Sequence, residues 1–290
     1  PRYSSSAASD VYKRQSPFHA PSLFTILAFL EYEHGIFHAK GGLGNITNRM
    51  AEIATDLGVD IRLETSVEEL LLDGKKVLGV RTNHGDILCD KVVMNADFAN
   101  AMTTLVPNRK RRKWSDEKLA KKSYSCSTYM LYLGTDRTWD QPHHQIYASS
   151  EYESNLEDIT KHRITWEDPS VYVQNACVTD PSLAPEGCST LYVLVPVPNV
   201  HDSINWNEIK DDFREVVLDQ MEKMGYEDVR NHIVSESMVT PDDWGSSDIY
   251  RGAVFNLAHG LDQMLFLRPR NKFEEFPGLY LCLLYTSPSP

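Results

Sequence analysis

The spacing of apolar residues predicts one helix followed by a run of short strands. Apolar positions recur about every 3.6 residues over residues 45–57, and Gly58 supplies a helix stop. Apolar and polar residues then alternate in short runs, which the turn pairs Asp73-Gly74 and His84-Gly85 separate, as in antiparallel strands. The predicted strands of this meander cover residues 60–64, 67–72, 77–82 and 87–96. Within the last of them, the apolar run Val92–Met94 predicts a strand that is buried on both faces.

The second half of the chain alternates strands with two helices. Asn205 and Glu208 match a capping box at the start of a helix over residues 206–224, which Gly225 ends. The apolar residues that share one face of this helix are Trp206, Ile209, Phe213, Val216, Val217, Met221 and Met224. The other predicted elements are a helix over residues 115–122, strands over residues 127–133, 171–178, 190–195 and 233–239, and a turn at Pro241. This order predicts a mixed α/β fold with interleaved domains.

Composition and charge exclude several classes of function. The chain has 290 residues and a net charge of -12, which disfavours a nucleic-acid partner because phosphate binding needs a basic surface. The basic run at residues 109–113 is either a solvated stretch or a contact with anionic lipid headgroups. The five cysteines are scattered, without the spacing of a zinc site or a disulfide framework, so we expect no metal and a reducing, cytoplasmic compartment.

The two ends differ in character from the rest of the chain. Residues 4–15 show neither helical nor strand periodicity, and the tail from Cys282 is equally unlike the sequence before it. Both resemble translated adaptor sequence, so we expect residues 16–281 to be an internal fragment of a longer protein. The apolar stretch at residues 23–30 is too short to span a bilayer, and it suits a buried helix or a patch lying in the membrane interface.

Four segments, in the same order and spacing, resemble the bacterial phytoene desaturases, which are FAD-dependent carotenoid desaturases of the amine-oxidase-like superfamily. The segments are residues 20–46, which carry GGLG, residues 58–97, residues 178–198, which carry VTDPSLAPEG, and residues 250–281, which carry RPRN. Asp180, in the third segment, is typical of a turn-capping aspartate rather than a catalytic base. The G-x-G-x-x-G fingerprint that normally grips the pyrophosphate does not occur in the sequence.

The resemblance implies a glutathione-reductase-like FAD/NAD(P)-binding fold, incomplete here, with an interleaved antiparallel-sheet substrate domain. It implies the following division: residues 1–15 and 282–290 foreign, 16–40 a substrate- or membrane-facing helical segment, 41–105 and 246–281 parts of the FAD-binding domain, and 106–245 the substrate-binding domain. The residues that it implies for cofactor binding are Gly41, Gly42, Val67, Asn95, Ala96 and Asp97. Val67 is equally compatible with a purely structural place in a strand core.

The implied activity is desaturation of a C40-type carotene by hydride transfer to flavin, because allylic protons are too weakly acidic for side-chain bases. The sequence identifies no catalytic residue. Residues that line a substrate tunnel or, alternatively, belong to an ordinary core are Phe255, Leu257, Met264, Leu265 and Phe266. The implied partners are a carotenoid and a membrane surface, with peripheral attachment through residues 23–30. These residues alone are expected to be inactive.

Two other classes of protein stay open at this point. One is another flavin oxidoreductase, such as a carotenoid oxygenase or ketolase, a retinol saturase or an amine oxidase. An amine oxidase requires an aromatic cage, for which Tyr124, Tyr129 and Tyr132 are available. The other class is a non-catalytic module that binds isoprenoids or lipids.

Overall fold

The computed structural model describes residues 25–258, 260–263 and 267–282. Helix α1 (Thr25–His34) is followed by α2 (Leu43–Asp56), which begins two residues before the predicted helix. The predicted stop lies just beyond its end, at Gly58, where φ is 84°. The apolar stripe of α2 is exposed among the described residues, with Met50 66% exposed. None of the described helices is both long enough and apolar enough to cross a membrane.

An antiparallel meander follows, made of β1 (Val67–Asp73), β2 (Lys76–Thr82) and β3 (Gly85–Leu88). The predicted strand at residues 60–64 is wrong. Alternation becomes a strand only where a neighbouring edge accepts its hydrogen bonds, and these residues pair with no strand in the described part of the chain. Leu63 is accordingly 82% exposed.

The predicted strand at residues 87–96 is two strands. The Cys89 amide closes the meander on the Leu78 carbonyl, and the chain then turns into β4 (Val92–Met94). Strand β4 pairs in parallel with the last described strand, β10 (Leu279–Leu281). Burial on both faces is wrong for this strand: Met94 is buried, but Val93 is 66% exposed because no described element covers its side of the two-stranded sheet.

The meander and the β4–β10 pair share a hydrophobic core with two helices, α3 (Phe98–Leu105) and α4 (Asp116–Ala120). Its largest buried side chains are Phe98, Met102, Trp114, Leu119, Phe273 and Phe276. The basic run lies at the edge of this core, and only Arg111 of its members is buried. The Arg111 side chain is buried, donates to the carbonyls of Val106 and Trp114, and pairs with Asp116 at 2.6 Å.

A five-stranded antiparallel sheet forms the second half of the molecule, in the order β6-β7-β8-β5-β9. The bounds are β5 (Ser127–Thr135), β6 (His144–Tyr147), β7 (Val171–Asn175), β8 (Ser189–Val197) and β9 (Ile233–Val239). The helices around it are α5 (Tyr152–Thr160), α6 (Trp206–Lys223), α7 (Val229–His232) and α8 (Pro241–Ser246). The predicted strand at residues 171–178 ends at Asn175, because Ala176–Val178 forms a 3₁₀ turn.

Helix α6 covers one face of this sheet and forms a second core with it. Most of the predicted apolar face lies in this core, but Val216 lies outside it and Leu218 takes its place. The predicted capping box is half right. The Asn205 side chain accepts from the Asn207 amide, whereas Glu208 accepts from the Asn205 side-chain amide rather than from its backbone.

The predicted turn at Pro241 is instead the start of α8. Proline suits the first helical position because its missing N–H would be unbonded there. Thr240 and Asp243 form a reciprocal capping box, and the Trp244 indole donates to the Thr128 carbonyl. The end of β9 is thereby fixed against β5.

Candidate functional site

The face of the five-stranded sheet that points away from α6 carries a row of tyrosines. Side chains alternate between the two faces of a strand, so Tyr129 and its same-parity neighbours enter the α6 core while Tyr132 points the other way. Tyr132 lies directly opposite Tyr192 in the register of β5 and β8, with ring centroids 5.4 Å apart. Tyr172 of β7 lies 6.1 Å from Tyr192. These three tyrosines are called the tyrosine face below.

The tyrosine face is uncharged at neutral pH. Burial raises the pKa of Tyr192 to about 12, with a smaller contribution from Tyr132, and burial also raises the pKa of Tyr132 and Tyr172. A cavity of about 480 Å³ opens on this face between β8, β5 and β9, lined by Tyr132, Tyr192 and the small residues Gly134, Thr190 and Ser235, among others. The surface therefore suits an apolar ligand that can lie flat against aromatic rings.

A histidine cluster extends this row of rings. The His144 ring stacks on Tyr172 at 5.9 Å, and its Nδ1 lies 2.7 Å from the Tyr172 hydroxyl. His143 lies 4.3 Å from His144, and His38 lies 4.8 Å from His143. Burial and repulsion within the cluster lower the pKa of His143 and His144. Within the described residues, no group of His, Cys, Asp and Glu side chains is arranged to hold a metal ion.

The histidine cluster leads to the Gly41–Gly42 turn, which was predicted to bind the cofactor. Both glycines have positive φ, 79° and 87°, so the turn requires them. The Gly41 amide donates to the Asp180 carboxylate, and a side chain added to Gly42 would lie 3.5 Å from Leu183. Asp180 also accepts from the amide and hydroxyl of Ser182, which confirms it as a turn-capping residue, and these bonds lower its pKa.

The start of α2 offers amide donors, whereas the Gly41 amide before it is already bonded to the Asp180 carboxylate. Gly42 is the N-cap of α2 but has no side chain to accept from the first amides of the helix. The first turn of α2 also carries no acidic residue. A helix start without an acceptor of its own leaves amide donors and the positive end of the helix dipole for a phosphate.

The remaining predicted cofactor residues lie in the other half of the molecule. Val67 begins β1 and is 40% exposed, and Asn95 and Ala96 are exposed just after β4. Asp97 caps α3 by accepting from the Asn100 amide at 2.8 Å, and it also accepts from the Asn256 side chain at 3.0 Å. Burial raises the pKa of Asp97. Asp97 therefore has a structural role whether or not it contacts a cofactor.

The predicted substrate residues are only partly described. Leu257 is fully buried in the core shared with the meander. Phe255 is half-buried in a turn, and its amide donates to the Ser125 hydroxyl. Met264, Leu265 and Phe266 lie outside the described residues. The tyrosines considered for an amine cage do not come together, because Tyr129 and Tyr132 point to opposite faces of the sheet.

Sequence reasoning missed the tyrosine face. Its signal was present, because Tyr132 and Tyr192 have the strand parity opposite to that of the core residues around them. The pairing of β5 with β8, and of β8 with β7, was needed to bring the three rings together. That pairing joins residues about 60 and 20 positions apart in the chain, beyond the reach of local patterns.

Comparisons with known proteins show the family of this chain. The family described as flavin containing amine oxidoreductase matches residues 3–289. A 4,4'-diapophytoene desaturase (4,4'-diapolycopene-forming) from Methylomonas sp is 43% identical over 93% of this chain and 53% of its own length. An all-trans-zeta-carotene desaturase from Myxococcus xanthus is 40% identical over 91% of this chain and 51% of its own length. The chain thus spans about half the length of these relatives.

A solved structure shares the fold. An oxidoreductase from Methanosarcina mazei superposes with a TM-score of 0.51 over 90% of this chain and 53% of its own, at 17% sequence identity.

Proposed function

Because this chain belongs to the flavin-containing amine oxidoreductase family, we propose that the complete protein is an FAD-dependent carotenoid desaturase. The proposal rests on the chain's likeness to proteins named diapophytoene, zeta-carotene and phytoene desaturases, at 36–43% identity. Within the family, we assign the chain a glutathione-reductase-like fold. Residues 41–105 and 246–281 then belong to the FAD-binding domain, and residues 106–245 form the substrate domain.

The observation that carries the substrate class is the tyrosine face. A carotene is long, apolar and without hydrogen-bonding groups, so it is best bound by a neutral surface of rings and small side chains. Glu236 lines the same cavity, but its carboxylate pairs with Arg214 of α6, at 2.7 Å. The row of rings from Tyr132 to His38 would guide one end of such a chain towards the Gly41–Gly42 turn.

The chain's own residues would bind and orient the substrate and the cofactor, and they would exclude water from them. Bound FAD would supply the acceptor for the hydride that a C–H bond of an unactivated hydrocarbon must give up. Gly41, Gly42 and the start of α2 would hold an anionic part of FAD, and the tyrosine face would hold the polyene out of water. Val67, Asn95, Ala96 and Asp97 remain proposed cofactor contacts. Phe255, Leu257, Met264, Leu265 and Phe266 remain proposed substrate contacts.

The test replaces one ring of the tyrosine face in the full-length protein. Tyr192→Ser should lower kcat/KM for a C30 or C40 carotene about tenfold or more, because it removes a buried aromatic contact. Tyr192→Phe is the matched control and should keep most of the activity, since the ring rather than the hydroxyl makes the surface. Product analysis and flavin absorbance of the purified protein are the measurements.

Two outcomes would count against the proposal. A colourless full-length protein would show that no flavin is bound, which would favour a non-catalytic lipid-binding module. Full activity of Tyr192→Ser with normal flavin content would be compatible with a desaturase, but it would show that the substrate does not bind at the tyrosine face.

We also propose that the protein meets its substrate at a membrane surface through α1. Phe29 and Leu30 of α1 are 60% and 42% exposed, and Tyr32 is 80% exposed. Exposed aromatic and aliphatic side chains on one short helix suit a patch lying in the headgroup region. Such peripheral attachment would account for how a water-insoluble carotene reaches the enzyme.

A further inference from the structure

A second cavity lies near the start of β5, and no residue of the tyrosine face lines it. Its volume is about 290 Å³, near the lower end of small-molecule sites. It opens between the start of β5, the end of β8, helix α5 and the turn Tyr250–Gly252. This cavity is called the basic cleft below.

The lining of the basic cleft carries positive charge and no carboxylate. Lys122, His162 and Arg251 line it, in a chain with 41 acidic and only 29 basic residues. Arg251 contacts rings and a carbonyl rather than acids. Its guanidinium lies 5.7 Å from the Tyr124 ring and 5.6 Å from the Tyr250 ring, and it donates to the Ala120 carbonyl at 3.4 Å. Within the described part of the chain, neither Arg251 nor Lys122 forms an ion pair.

Two arginines, in helices α6 and α7, contrast with Arg251. Arg214 pairs with Glu215 and Glu236, and Arg230 pairs with three carboxylates of α6. Carboxylates are thus available in this acidic chain, yet none lines the basic cleft. Clustered cations without a counter-charge raise the free energy of the folded protein unless an anion joins them.

His162 adds a titratable imidazole beside these two cations. Its ring stacks on that of His201, with centroids 4.2 Å apart and planes at 13°. Burial lowers the pKa of His162, and repulsion from His201 and Arg251 lowers it further. Its Nδ1 is buried and has no hydrogen-bond partner among the described residues. This nitrogen is therefore a buried polar atom whose hydrogen bond is unsatisfied.

The backbone at this cleft is also held in an unusual conformation. His162 and Arg251 have φ of 54° and 56°, in the left-handed region that costs a side-chain-bearing residue free energy. Such strain persists where the surrounding structure requires a particular side-chain direction. Here the two strained residues line the same cavity.

The remaining walls divide by polarity. Ser123, Ser125 and Asn199 supply polar groups, whereas Leu156, Ile159 and Pro196 form an apolar wall. We propose that the basic cleft binds a small amphiphilic anion, with a phosphate or carboxylate group at Arg251, Lys122 and His162 and a short apolar tail against Leu156, Ile159 and Pro196. This site would be separate from the tyrosine face. The proposed substrate contact Phe255 adjoins it, because the Phe255 amide donates to the Ser125 hydroxyl.

Calorimetric titration of the full-length, flavin-loaded protein tests the inference, because the phosphate contacts of the flavin are then already occupied. The probes are butyl phosphate, inorganic phosphate and butanol. Butyl phosphate should bind about tenfold more tightly than either of the others, because only it engages both walls. The result does not depend on desaturase activity.

Matched variants locate the binding. Arg251→Asn removes the charge, and asparagine tolerates left-handed backbone. Lys122→Met removes a charge while keeping the apolar stem. Each should weaken butyl phosphate binding about tenfold, the range for one charge-assisted contact. Lys121→Met is the control, since Lys121 is exposed next to Lys122 but does not line the cleft, and it should bind like the unaltered protein.

Three results would overturn the inference. One is butanol binding as tightly as butyl phosphate, which would make the cleft a plain apolar pocket. Another is equal affinity for inorganic phosphate and butyl phosphate, which would show that the cleft does not bind the apolar tail. The third is an equal loss of affinity in Lys121→Met and Lys122→Met, with both variants folded by circular dichroism.

Discussion

Asp168 connects three parts of the half that contains the five-stranded sheet, all through one carboxylate. It accepts from the Tyr147 hydroxyl at 2.6 Å, from the amide and hydroxyl of Ser150, and from the Gln220 side chain of α6 at 3.1 Å. Burial of this carboxyl opposes ionisation, but the hydrogen bonds outweigh it and hold the pKa at about 2, below the ordinary value of 3.8. The bonds are therefore strongest with the ionised carboxylate.

Asp168→Asn should destabilise the protein at pH 7 by on the order of 1–2 kcal/mol, allowing for solvent screening. The pKa of Asp168 is lower in the folded protein than in the unfolded one. Its hydrogen bonds therefore contribute stability that is complete above pH about 4 and is lost as the pH falls towards 2. The variant should therefore lose part of the acid dependence of unfolding in this window. Urea denaturation at pH 7 and at low pH measures it, with the exposed Asp202→Asn as control. Equal stability of Asp168→Asn and the control at pH 7 would contradict the assignment.

At the scale of one helix, α6 depends on its cap. The Asn205 side chain accepts from the Asn207 amide, one of the amides that the helix itself leaves unbonded. Asn205→Ala should cost about 1 kcal/mol of stability, the usual value for a lost N-cap. Asn207→Ala is the control, because it leaves the capping oxygen in place and should change stability much less. Thermal unfolding compares the two, and equal melting temperatures would show that α6 needs no cap.

Helix α1 carries the membrane proposal. Phe29→Glu should release the full-length protein from liposomes of neutral lipid, because burying a charge in the interface costs more than burying a phenyl ring gains. Flotation of the variant against the unaltered protein measures this release. Glu33→Gln, an exposed change on the same helix, should leave flotation as it was. Unchanged flotation of Phe29→Glu would assign membrane contact to another surface.

Across the whole molecule, two separate hydrophobic cores divide the chain. Phe213 belongs to the core between α6 and the five-stranded sheet, and Phe273 belongs to the core of the meander. Both rings are fully buried, so truncation to alanine should cost about 3–5 kcal/mol in either place. The loss should be local, because each ring packs within its own core.

Hydrogen exchange read peptide by peptide separates the two effects. Phe213→Ala should speed exchange in β5, β8 and α6, and Phe273→Ala should speed it in β1, β2 and α3. Each variant is the control for the other. Uniform acceleration over the whole chain in both variants would mean a single cooperative unit instead.

The sequence by itself determined the elements whose signals are local. Helix periodicity, the Gly58 stop and the turn pairs predicted α2, β1, β2 and α6 closely, because side-chain period and turn chemistry act within a few residues. The capping role of Asp180 and the turn at Gly41–Gly42 followed in the same way. The likeness to carotenoid desaturases was also present in the linear sequence.

Only the tertiary structure decided what depends on pairing between distant segments. Residues 60–64 alternate like a strand but have no partner edge, and Arg111 lies in a basic run but is buried by the segments around it. The tyrosine face and the basic cleft each join residues far apart in the chain. The physical reason is the same for all of these features. Strand register and helix packing determine which side chains meet, and no local pattern encodes that outcome.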